Sequence, residues 1–73
     1  MKKKEVIRAI VGHLTNQELS RSDRIEFISK ILLDFGCNEK SVKFHVPDFS
    51  GESYPEPMMA TFDARILLKV CLA

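Results

Sequence analysis

The run from Met59 to Leu72 constrains this chain more than any other stretch. Taken at every second residue, Ala60, Phe62, Ala64, Ile66, Leu68, Val70 and Leu72 form an unbroken apolar row. The alternate row carries Thr61, Asp63, Arg65 and Lys69, interrupted only by Leu67 and Cys71. Period two is the pattern of a strand with one buried and one wet face. A helix starting at Pro57 is the alternative, since Phe62, Ile66, Leu67 and Val70 fit a 3.6 period. That helix would part Asp63 from Thr61, Arg65 and Lys69 and split the polar face, so a strand over 59–72 is expected.

Upstream segments supply the cover for this strand. Val6, Ile7, Ile10, Val11 and Leu14 make one apolar stripe, which predicts an amphipathic helix over 3–14. Three lysines near its start oppose the helix dipole, and Gly12 weakens its far end by about 1 kcal/mol relative to alanine. Residues 15–19 form a polar turn. Ser20 and Asp23 have capping-box spacing ahead of a second helix over 21–35, lined by Ile25, Ile28, Ile31, Leu32 and Phe35. Gly36 supplies the left-handed residue that ends it. Val42, Phe44 and Val46 alternate with Lys43 and His45, which predicts a short strand over 41–46 closed by Pro47. Residues 47–57 then form a loop with three prolines and the acids Asp48, Glu52 and Glu56.

The expected fold is therefore a single α+β domain of order α-α-β-β, a helical hairpin packed on an antiparallel β-hairpin. Its lengths do not match. A fourteen-residue strand spans about 46 Å at 3.3 Å per residue. The second helix, at 1.5 Å per residue, covers only about 22 Å. Half of the long strand would lack a partner, and a two-stranded sheet is marginal in water. With 73 residues there is little core to spare. The mismatch predicts a homodimer whose hairpins join into one sheet.

Composition bounds the function classes. The net charge is +1, but residues 1–30 hold seven basic and four acidic side chains, and residues 31–73 hold four and six. That asymmetry suits a weak anionic partner at the helical end or self-association that pairs the two ends. Glu5 and Arg8 break any signal-peptide core, no apolar run is long enough to span a bilayer, Lys2 excludes N-myristoylation, and Cys71 is misplaced for prenylation. A cytoplasmic protein with no membrane association is expected.

Candidate chemistry is sparse. His13, Cys37, His45 and Cys71 are the right number of ligands for structural zinc, yet no two have a paired ligand spacing. The cysteines read as unpaired, inert thiols, with a bridge left open. Nothing local activates Cys37 as a nucleophile, and Asp23, Glu26 and Asp34 serve a helix surface. Neither an enzyme nor a cofactor is expected.

Two binding readings remain. In the loop, Phe49 and Tyr54 stand among Asp48, Glu52 and Glu56, an aromatic anchor with carboxylates that suits a basic groove on another protein. Met58 and Met59 read as gap-fillers at the strand start. The alternative is nucleic-acid binding through Lys2, Lys3 and Lys4 as an arm, with Arg21, Arg24 and Lys30 on the outer face of the second helix. Against it stand a pI near 7.8 and an acidic loop where a DNA-contacting wing would lie. The favoured reading is a non-catalytic adaptor or inhibitor module, homodimeric through its sheet, with an unidentified protein partner.

Overall fold

The structure, a computed structural model, describes residues 1–51 and 54–73. It contains four helices, α1 (Lys3–Thr15), α2 (Arg21–Asp34), α3 (Glu39–Phe49) and α4 (Pro57–Leu72). Among the described residues there is no strand. The α+β expectation is thereby corrected: the strands expected over 41–46 and 59–72 are helical, and there is no sheet for a second chain to extend. The loop expected over 47–57 is also shorter at its start, because α3 runs through Pro47 to Phe49.

The first two helices form as their patterns dictate. Val6, Ile10 and Leu14 are buried on α1, with Ile7 and Val11 half-buried beside them. Ser20 caps α2, its Oγ accepting from the Asp23 amide at 3.1 Å. At the other end Gly36 adopts φ +97°. Its N–H donates to Leu33 O and that of Cys37 to Leu32 O, both at 3.0 Å. These two bonds close a Schellman motif and satisfy carbonyls the helix would otherwise leave orphaned.

α3 owes its start to Asn38, whose Oδ1 accepts from the amides of Lys40 (2.9 Å) and Ser41 (3.1 Å). Its buried residues are Val42 and Val46. A spacing of four keeps two residues on one side of a strand and of a helix alike, so this pair cannot distinguish them. Phe44 does: it is 72% exposed, where a strand would have turned it inward with the valines. Pro47 lacks the N–H that would reach back to Lys43, but α3 ends only two residues later. Arg21 Nη2 donates to Pro47 O at 3.1 Å and ties the start of α2 to this turn.

α4 opens with Pro57 as its first residue, after an extended Glu56, where proline's fixed φ suits a helix start. Its buried row is Ala60, Ala64, Leu67, Leu68 and Cys71, spaced at 3.6 rather than 2. Each helix packs on its chain neighbours, and α4 closes the ring onto α1. The side chains of that row join Val6, Ile10, Leu14, Ile28, Leu32, Val42 and Val46 in one core. At the end of α4, the Asn38 N–H donates to Cys71 O at 2.8 Å, joining the start of α3 to the last turn. Coiling also removes the length mismatch. Sixteen residues of helix run only about 24 Å, close to the length of α2. The radius of gyration of 10.7 Å agrees with about 11 Å for a globular chain of this size. One chain therefore covers its own core.

Candidate docking face on the fourth helix

α4 is apolar on two sides. Opposite its buried row, Met58, Phe62 and Ile66 follow one another at spacings of four, and Met59 widens the row. At 100° per residue these four, with Lys69 among them, occupy an arc of roughly 100°. They are exposed by 79% (Met58), 65% (Phe62), 37% (Ile66) and 58% (Met59). Single exposed apolar residues are ordinary; these four instead form a contiguous row along one helix.

The two edges of this row differ in charge. On the α1 side, Thr61 and Arg65 meet Lys4, Ile7, Arg8 and Val11 around an open groove of about 300 Å³. Its floor is apolar and its rim carries three cations. None of the three makes an ion pair with a described residue; Glu39 and Lys43, on α3, form the one ion pair found among them. On the α3 side, Asp63 meets Asp48, Phe49 and Tyr54 around a second cleft of about 300 Å³. Here the Tyr54 hydroxyl lies 2.9 Å from Phe49 O and 2.8 Å from Asp63 Oδ2. It has one hydrogen to donate to these two acceptors. α4 thus carries an apolar row between a basic and an acidic shoulder.

Of the loop residues expected to bind a partner, Asp48, Phe49 and Tyr54 come together at the acidic cleft. Phe49 and Tyr54 do not project from it; both are half-buried and packed against the core. Glu56 is exposed at the start of α4, and its side chain makes no capping bond. Glu52 lies outside the described residues. Arg65, Asp63, Arg8 and the exposed face of α4 were not among the expected site residues, because a strand over 59–72 turns Phe62 and Ile66 toward the core.

The residues of the nucleic-acid reading do not form one face. Arg24 is 8% exposed, with its Nη1 3.4 Å from Leu19 O and its Nε without a partner among the described residues. Its placement on the outer face of the second helix is therefore corrected. Arg21 is turned to Pro47 O, Lys30 is exposed on α2, and Lys2, Lys3 and Lys4 are exposed at the start of α1.

Neither His13 nor His45 meets the cysteines in a ligand set. His13 packs on Phe27 with ring centroids 5.4 Å apart, and His45 meets Phe44 edge-on at 4.9 Å. No group of three or more His, Cys, Asp or Glu side chains among the described residues is placed to hold a metal ion. Cys37 and Cys71 are buried and unbridged. Burial pushes both thiols up, Cys71 to about 11, with the neighbouring Cys37 adding to the effect. A thiol so shifted is poorly nucleophilic at neutral pH. Compared with known protein families, curated proteins and solved structures, the chain matches none. None of the described helices is long and apolar enough to cross a membrane.

Proposed function

We propose that this chain is a non-catalytic protein-interaction module that works through the outer face of α4. The exposed row Met58–Phe62–Ile66 carries the reading. The fully buried core closes without this row, and Met58 and Phe62 leave most of their surface in water, with Ile66 about one-third exposed. Burying them against another protein would recover roughly 25 cal/mol for each Å² of apolar surface removed from water. Flexible methionines beside an aromatic ring are also a composition that adapts to a bound surface. Burial of both thiols, which raises their pKa, fits a role without cysteine catalysis.

Methionine oxidation tests this directly, because the chain has three methionines and all are exposed. Met1, 74% exposed and outside α4, serves as the reference. In dilute purified protein, peroxide should oxidise Met1, Met58 and Met59 at similar rates. In cells that make the chain natively, Met58 and Met59 should be spared several-fold relative to Met1. Equal oxidation of all three in cells would refute the docking face.

A further inference from the structure

We infer that the docking face of α4 takes a second copy of this chain, in a parallel pairing with the two-fold axis running along α4. This rests on the docking-face reading and names its occupant. The observation that selects a second copy is the sign of the two shoulders. Lys4, Arg8 and Arg65 stand on the α1 edge of the apolar row, and Asp48 and Asp63 on its α3 edge. In a symmetric dimer each surface meets its own copy, so the direction of the axis decides which edges meet.

Consider the row facing its copy across the axis. An axis perpendicular to α4 makes the helices antiparallel and lays each edge on the same edge of the partner. Three cations would then face three cations. An axis along α4 makes the helices parallel and exchanges the edges, so each basic shoulder meets an acidic one. Arg65 and Asp63 are two residues apart, about 3 Å along the axis, so they come to nearly the same height. Phe62 and Ile66 meet their counterparts at the centre. Lys69 lies toward the basic edge of the row, and its long stem can carry its charge outward to water. Only the parallel arrangement satisfies both the apolar row and the shoulders. It also gives the charge imbalance between the two parts of the chain a physical outlet.

The face is small. With α4 about 24 Å long and a shoulder on each side, the footprint is roughly 500–600 Å² per chain, against about 800 Å² for a standard interface. The dimer should weaken several-fold as sodium chloride rises from 50 to 500 mM, because the shoulders are exposed charges.

Two charge-reversed chains test it by sedimentation equilibrium. Arg8→Glu with Arg65→Glu leaves acid on both edges. Asp48→Lys with Asp63→Asn, which keeps an acceptor for Tyr54, leaves base on both edges. Wild type should dimerise, each variant alone should associate at least tenfold more weakly, and their equal mixture should recover a one-to-one heterodimer. Unchanged far-UV circular dichroism is the control for folding; should Arg65→Glu unfold the chain, Lys4→Glu with Arg8→Glu replaces it. A wild type that stays monomeric to 500 µM overturns the second copy. Variants that dimerise as wild type does overturn the parallel pairing. If the second copy fails while Met58 and Met59 are still spared in cells, the docking face stands with another protein as its occupant. If that sparing is also absent, both proposals fall.

Discussion

Replacing Leu67 and Phe62 separately by alanine distinguishes the helical α4 from the extended segment its alternation suggests. Leu67 is fully buried and Phe62 is about two-thirds exposed. A buried leucine truncated to alanine costs about 2–5 kcal/mol, the transfer of its methyl groups plus the cavity left behind. For Leu67 we take about 3 kcal/mol. Full burial of a phenylalanine makes the same truncation cost about 3–5 kcal/mol; at one-third burial the loss is about 1–1.5. Alanine returns about 0.5 kcal/mol in helix propensity, so Phe62→Ala should cost about 0.5–1 kcal/mol. Unfolding entropy for 73 residues is near 0.15 kcal/mol/K, so 1 kcal/mol moves the melting temperature by about 6–7 °C. Leu67→Ala should therefore lower it by about 20 °C and Phe62→Ala by about 3–7 °C. The assay is thermal unfolding followed at 222 nm, with the protein at a few micromolar so that self-association adds nothing. A strand inverts the order, because Phe62 then faces the core and Leu67 faces water. Phe62→Ala proving as costly as Leu67→Ala would refute the helical packing, and the docking face with it.

Three further outcomes are expected. Cys71 ionises near 9.0 when unfolded and about 11 when folded, so the native state holds a proton the unfolded state has released. Stability should be intact below pH 9 and fall as pH rises from 9 to 11, by roughly 2–3 kcal/mol; urea titrations should show Cys71→Ala lacking that share of the pH dependence. Asn38→Ala removes the acceptor for two amides at the start of α3 and should cost about 1 kcal/mol, with Asn38→Asp near neutral in the same melt. Arg24→Met removes a buried Nε that has no partner among the described residues, so the melting temperature should hold or rise, and a fall of more than about 5 °C would show that the contact to Leu19 O outweighs it.

How far the chain could be read depended on whether local signals agreed. α1 and α2 were legible to within a residue or two, because one-sided stripes, the Ser20 cap and Gly36 all point to the same bounds. α3 was not. Val42 and Val46 fit either period, Pro47 looked like a stop, and the deciding signal was Asn38 as an N-cap ahead of Glu39. The acidic cleft was half legible: Asp48, Phe49 and Tyr54 stood out by composition, but Asp63 joins them only because α4 is helical. The basic groove was invisible, since Arg8 and Arg65 are fifty-seven positions apart and meet only when α4 closes on α1.

The misreading of α4 and its proposed role have one cause. A helix that buries one side and wets the other shows a clear 3.6 period, because its outer residues are polar. In α4 the outer side is apolar as well, so Ala60, Phe62, Ala64, Ile66 and Leu68 line up at period two although they alternate between the core and the open face. The outer row blurs the pattern by adding apolar residues where a solitary bundle would place lysine or glutamate. Those residues carry a cost in solubility that folding offsets only in part, because Met58, Met59 and Phe62 keep most of their surface in water. The same side chains that disguise the helix as a strand are therefore the ones that carry the proposed docking face, and in the parallel pairing we infer the oppositely charged edges beside them set which way round the second copy lies.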